Sequence, residues 1–202
     1  MFTKEPMVDV GMGALTAPLP CTQAVDASRD RRLRALVDDH YDVVWRTLRR
    51  LGVAPGQVDD AAQEVFWVAL RRLEDIRGGR ERAFLFGVAA RVASDSRRAR
   101  ARSREVADQV AVDGAVEGGP TPEGLLDERQ ARELLDEVLD ALDDEARVVF
   151  VLFEIEGLSS PEIASLLELP VGTVASRLRR GRAQFREAAK RARARAARGG
   201  QS

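Results

Sequence analysis

Apolar residues recur every three or four positions over most of the chain. From Leu33 they fall at Leu33, Val37, Tyr41, Val44, Leu48 and Leu51, one face of a helix that closes near Gly52. After the Ala54-Pro55-Gly56 break, a second helix carries its inward stripe on Ala61 or Ala62, Val65, Phe66, Ala69, Leu70 and Leu73. Asp59, Asp60, Gln63, Glu64 and Trp67 are left on its outer face. A basic loop with a Gly-Gly flexure follows (RLEDIRGGRER), and Phe84, Leu85, Val88 and Val92 begin a third helix that ends in SRRARARSR. Further on, Leu134, Leu135, Val138 and Leu142 mark a fourth helix, and Val148, Val149, Val151 and Leu152 a fifth, stopped by Gly157. Strand signals are scarce, so the expected fold class is all-α.

The stretch SSPEIASLLELPVGTVASRLRRGR, residues 159–182, reads as two helices in close succession. Ser159 or Ser160 can cap the first, Pro161 fits its opening turn, and Ile163, Leu166 and Leu167 point inward. Pro170 cannot donate to a helical ladder and forces a change of direction, so a new helix starts near Val171. Val174, Leu178, Gly181 and Phe185 form its buried seam, which leaves Thr173, Ser176, Arg177, Arg179, Arg180 and Arg182 on the remaining surface. Two helices joined by a tight turn, the second polar and cationic, match the helix-turn-helix, whose second helix enters the major groove. Arginine suits that position because its fork reaches guanine O6 and N7 and its charge pairs with phosphate. A helical hairpin with a merely solvated charged face gives the same pattern.

Composition then narrows the chemistry. Among 202 residues Cys21 is the sole cysteine and His40 the sole histidine, so one chain can assemble neither a disulfide framework nor a Cys/His metal cluster. A reducing, cytoplasmic setting is expected, with no cofactor, and no nucleophile arrangement of an enzyme can be drawn. No apolar run approaches a membrane span, so no direct membrane insertion is expected.

Net charge is −1, but the charges lie in blocks. Residues 29–104 are rich in arginine, Glu105 to Glu128 contains no basic residue, and Arg177 to Arg198 sets ten basic residues against Glu187 alone. This division suggests a disordered arm (1–28), a first helical domain (29–102), a flexible acidic linker (103–127), a second helical domain (128–192) and a basic disordered tail (193–202). The tail's RARARAAR reads equally as a solvated helix end or as a grip on phosphate.

DDAAQEVFWVALRRL resembles the D-x-x-Q-E-x-F signature of the second conserved region of bacterial sigma factors, here Asp60, Gln63, Glu64 and Phe66. AFLFGVAARVASDSRRAR is similar to the promoter-melting helix of the extracytoplasmic-function (ECF) sigma factors, and EIEGLSSPEIASLLELPVGTVASRLRRGR to their fourth region. The matches stand in the family's order, over residues 33–102 and 129–190, around a linker. By that resemblance the chain is identified as a sigma-70 family ECF sigma factor. It implies two small helical domains, a region 2 bundle and a region 4 helix-turn-helix, that direct promoter recognition and transcription initiation without catalysis of their own.

The resemblance also implies partners. Asp60, Gln63 and Glu64 would meet the clamp helices of the largest subunit of core RNA polymerase, with region 4 at the flap; carboxylates there can pair with basic side chains. The same acids would equally complement the positive end of their own helix. Arg77, Arg80, Arg82, Arg91, Arg97 and Arg98 would serve the minus-ten element of promoter DNA, and Thr173, Ser176, Arg177, Arg179, Arg180 and Arg182 the minus-35 element. An anti-sigma factor is a further implied partner. Phe84 and Phe86 occupy positions where the family has Trp and Tyr, and either stack on bases or belong to the core. Departures from the family pattern fall at Gly87, Ala90-Arg91, Ala175 and Arg179, residues that bear on melting and on base choice. A stand-alone helix-turn-helix regulator is the alternative function.

Overall fold

The computed structural model describes residues 20–106 and 123–199, with side chains placed over 28–103 and 131–195. Among the described residues the elements are helices and no strand occurs. Helices α1 (Pro20–Arg50), α2 (Val58–Arg71) and α3 (Glu81–Val106) form the first module. Helices α4 (Glu123–Asp140), α5 (Asp144–Phe150), α6 (Ser160–Leu167) and α7 (Val171–Gly199) form the second.

Three element ends differ from the sequence-based boundaries. Helix α1 begins at Pro20, so residues 20–28 of the expected arm are helical. The interval between α3 and α4 shrinks to residues 107–122, which lie outside the described residues. Helix α7 runs to Gly199, well into the expected tail, because alanine and arginine are strong helix formers and need no buried face to continue a helix already begun.

The first module is built on the apolar stripes read above. Val44, Leu48, Val58, Val65, Leu85 and Phe86 are wholly buried or nearly so, and the Tyr41 ring stacks on Phe66 at 6.0 Å. Helix α1 is closed by Gly52 at φ +93, where a side chain would be strained. There the Val53 N–H reaches Leu48 O at 3.1 Å and the Gly52 N–H reaches Arg49 O at 2.9 Å, the paired bonds of a Schellman turn.

In the second module α5 widens into a π turn over Val151–Ile155, with the Glu156 N–H bonded to Val151 O at 3.0 Å. Gly157 at φ +75 then ends the segment. Helix α7 packs closely on α5: a Cβ at Gly181 would lie 3.1 Å from Ala146 O, and Phe185 stacks on Phe150 at 4.8 Å. The C-terminal half of α7 receives α4 through Val138, Ala188 and Ala192. Leu134, expected inward, is exposed on the outer side of α4.

The two modules are docked on each other. One continuous apolar cluster runs from Leu36 and Leu48 through Phe86 and Ala90 to Leu152, Ile163 and Leu178. Helix α6 lies against α3, where Leu166 fills the space left by the missing side chain of Gly87. Periodicity assigns each helix one inward face; it does not show that α3 has neighbours on two sides.

Candidate polymerase and nucleic-acid interface

Helix α2 presents Asp60, Gln63 and Glu64 to solvent on one stripe, since positions three and four apart share a helix face. Trp67 continues that stripe one turn later and is 59% exposed, an unusual state for so large an apolar surface. Its neighbour Asp59 is turned away toward α1, accepting from Trp45 Nε1 at 2.9 Å. None of Asp60, Gln63, Glu64 and Trp67 has a partner among the described residues, so the stripe is available to another molecule. Sequence reasoning misses Trp67 as a site residue because a single outward tryptophan carries no periodic signal.

The six arginines expected to serve single-stranded promoter DNA are not equivalent. Arg77 and Arg80 are exposed in the loop before α3, beside a cleft of about 570 Å³ that also involves Phe84, Pro161 and Leu166. Arg82 lies over the Phe86 ring at 5.5 Å and 3.9 Å from Glu156 of the second module. Arg91 pairs with Glu168 at 2.6 Å, and Arg98 with Asp95 at 3.2 Å. The Arg97 side chain is only 12% exposed; it donates to Leu51 O, and its Nε lies 3.0 Å from Asp144. Phe86 is 1% exposed and belongs to the core in this conformation.

The helix-turn-helix is built as its sequence dictates. Ser159 caps α6 in a reciprocal capping box with Glu162, whose carboxyl is held below its ordinary value by the hydroxyl and N–H of Ser159. Glu168 takes the left-handed conformation at φ 55 that ends α6, and Pro170 O receives the Thr173 N–H at 2.9 Å as α7 begins. Val174 and Leu178 are buried, as expected.

On the outer side of α7, Ser176, Arg179 and Arg180 are exposed, with Thr173 half-buried at the start. Arg177 and Arg182 flank the buried seam instead. Arg177 pairs with Glu145 at 2.7 Å, and Arg182 with Glu154 at 2.6 Å while covering the Phe153 ring. Arg180 bonds Asp143 at 2.9 Å; Arg179 makes no ion pair or hydrogen bond among the described residues. Asp143 is also the N-cap of α5. Partial burial raises its pKa, but the Ala146 N–H, the Gln184 amide and Arg180 together outweigh that and hold it low.

No group of three or more potential metal ligands occurs among the described residues, and no described helix is long and apolar enough to cross a membrane.

Comparison with known proteins gives the same geometry a family. The profile described as Sigma-70 region 2 matches residues 36–103, and that described as Sigma-70, region 4 matches residues 132–185. The ECF RNA polymerase sigma-E factor of Escherichia coli is 33% identical over 140 residues, 64% of this chain and 72% of that protein. The chain belongs to the ECF sigma factors of the sigma-70 family. As such it is a transcription initiation factor and not an enzyme. The ECF sigma factor SigE of Mycolicibacterium smegmatis is 34% identical over 152 residues, 75% of this chain but 59% of that longer protein. Among solved structures, CnrH in complex with the cytosolic domain of CnrY aligns at a TM-score of 0.56 and 27% identity, covering 78% of this chain and 87% of CnrH. The sigma factor RpoE of Bartonella quintana, solved with the anti-sigma factor NepR, shares the fold at a TM-score of 0.62 and 20% identity, with 78% and 96% of the two chains covered.

In this sigma factor, then, the two conserved regions correspond to the two docked modules. Arg147 and Glu156, which no motif singles out, lie between them: Arg147 is 4% exposed, and the Glu156 side chain 2%.

Proposed function

We propose that this sigma factor binds core RNA polymerase through the α2 stripe of Asp60, Gln63 and Glu64, extended by Trp67, and carries the polymerase to promoters. Its α7 face, with Thr173, Ser176, Arg179 and Arg180, reads the minus-35 element in duplex form, and Arg177 and Arg182 support that helix from its flanks. The loop arginines Arg77 and Arg80, with Arg82, Arg91, Arg97 and Arg98 on α3, hold the opened minus-ten strand. An anti-sigma factor is a further partner, and the setting is cytoplasmic.

The observation that carries this reading is the coincidence of two region matches, in order, with two outward faces whose polar groups lack internal partners: the α2 stripe and Arg179 on α7. The test is reconstitution with core polymerase, followed by mapping of transcript starts. Replacing Gln63 and Glu64 by alanine should weaken core association and spare binding to duplex DNA. A chain that binds no core polymerase would refute the reading, and tight site-specific duplex binding in its absence would favour a stand-alone regulator.

A further inference from the structure

The contact between the modules is polar at its edges, and the same few cations recur in it. At the end of α1 the last carbonyls lack helical partners and carry the negative end of the helix dipole. Arg147 of the second module fills that position: its Nε donates to Arg50 O at 2.5 Å and its Nη2 to Arg49 O at 3.4 Å, while its Nη1 bonds Asp140 at 2.6 Å. Glu156 crosses the other way, accepting from the Thr47 hydroxyl at 2.8 Å and from Arg50 at 3.2 Å, with Arg82 at 3.9 Å. Arg97 faces Asp144, Arg91 pairs with Glu168, and Arg49 pairs with Asp136 at 3.0 Å.

We propose that this docked arrangement is an off state of the sigma factor, in which acids of the second module hold the DNA-facing arginines of the first. It rests on the promoter-binding reading above. Arg82, Arg91 and Arg97 cannot neutralise phosphate while they face Glu156, Glu168 and Asp144. The geometry is a second obstacle. Minus-ten and minus-35 elements lie about 25 base pairs apart, on the order of 85 Å along the duplex axis at roughly 3.4 Å per base pair. Helix α6 touches α3 directly at Gly87, and α7 follows within one turn. At about 10–12 Å per helix diameter, the two DNA-reading helices are therefore separated by only on the order of 25 Å. Residues 107–122 can span up to about 55 Å when fully extended, so covalent connection permits the modules to part.

The interface is suited to reversible opening. Its central groups are charged and return to water at little loss, unlike a purely apolar core. Gly87 is its steric key, since a Cβ there would meet Leu166 Cδ2 at 2.9 Å.

A cross-link in the full chain tests the proposal. An ideal Cβ at Gly87 lies 3.7 Å from Leu166 Cβ, within the roughly 3.5–4.5 Å that a disulfide requires. With Cys21→Ser, the pair Gly87→Cys and Leu166→Cys should therefore join on mild oxidation. The oxidised chain should bind a short mixed-sequence DNA duplex at low salt at least ten-fold more weakly than the opened form, and reductant should restore binding. The opened form is Arg147→Met with Glu156→Gln, checked for native helicity by circular dichroism. Its affinity should exceed that of the wild-type chain, with a salt slope steeper by about 2, near 0.9 for each phosphate contact regained. Failure of the folded double-cysteine chain to cross-link would overturn the proposal, as would equal duplex affinity of the oxidised and opened forms. Core polymerase binding is measured in parallel. Its absence in every variant would refute the sigma reading, whereas the cross-link and duplex data judge the docking by themselves.

Discussion

Arg147→Met exploits a chance separation of probes. Both tryptophans, Trp45 and Trp67, belong to the first module, so their fluorescence reports that module alone, whereas circular dichroism reports all helices. Arg147 belongs to the second, yet its strongest bond is to the backbone of α1. Methionine keeps much of the side-chain volume and removes the charge. The lost bond to Arg50 O is charge-assisted and worth about 1.5–3 kcal/mol, with a further ~0.5 kcal/mol from the helix dipole. The bond to Asp140 adds little, because that carboxylate is 68% exposed and regains water. Against this, the thioether of the substituted side chain has no need of the hydration that a guanidinium gives up on burial, which returns part of the loss. The net destabilisation is about 2 kcal/mol, borne by the docked state.

Urea denaturation followed by both probes is the assay. In the wild-type chain the two transitions should coincide, since one apolar cluster runs through both modules. In Arg147→Met the tryptophan-monitored midpoint should fall by about 1 M, given a slope near 2 kcal/mol per molar for a protein of this size. An unmoved tryptophan transition, with or without a change in the dichroism, would refute the claim that Arg147 supports the first module.

Three other outcomes are expected. Trp67→Ala should leave the thermal midpoint within about 1–2 °C of wild type, because an exposed side chain contributes little to folding, but should weaken core polymerase binding at least ten-fold in a competition assay. Gly181→Ala should lower stability by about 1–3 kcal/mol, since its Cβ would press on the Ala146 carbonyl 3.1 Å away and on Phe150; chemical denaturation measures it. Asp143 has a depressed pKa in the folded chain, so its contribution is fully present above the unfolded carboxylate value of about 4 and is lost as pH falls through the folded one. Asp143→Asn keeps a capping oxygen without the charge and should flatten the acid limb of a stability-against-pH curve.

The helices of this protein are largely legible in its sequence, because their signals are local. Leu33 to Leu51 has one unbroken period, Gly52 stops it for a conformational reason, and Ser159-Ser160-Pro161-Glu162 announces a helix start in four residues. The outward placement of Asp60, Gln63 and Glu64 follows from the same arithmetic. What depends on pairs distant in sequence is not legible. Arg97 and Arg98 are adjacent arginines with the same apparent role, yet Arg97 turns in to Leu51 O and Asp144 while Arg98 stays on its own helix with Asp95. Arg147 stands without a motif beside Val148, Val149 and Val151. A charged residue opening an apolar run is a cue to a buried ion pair, but its partner, a backbone carbonyl 97 residues earlier, has no signature of its own.

The docked arrangement hides the two kinds of surface unequally, and that inequality sets an order of events. Asp60, Gln63, Glu64 and Trp67 remain exposed with the modules together, whereas Arg82, Arg91 and Arg97 face acids of the second module. A partner that recognises the α2 stripe can therefore engage the chain before it opens, while DNA cannot use α3 until afterwards. Binding at the stripe alone shifts nothing, since a ligand with equal affinity for two states leaves their ratio unchanged. Opening requires a second contact that only the separated modules can make, such as one that seats α4–α7 elsewhere on the same large partner. Each contact made in this way raises the effective concentration for the next, so two weak grips can together overcome a docking interface of a few kcal/mol. The polymerase-first order then follows from which side chains are paired and which are not, without any change in the fold of either module.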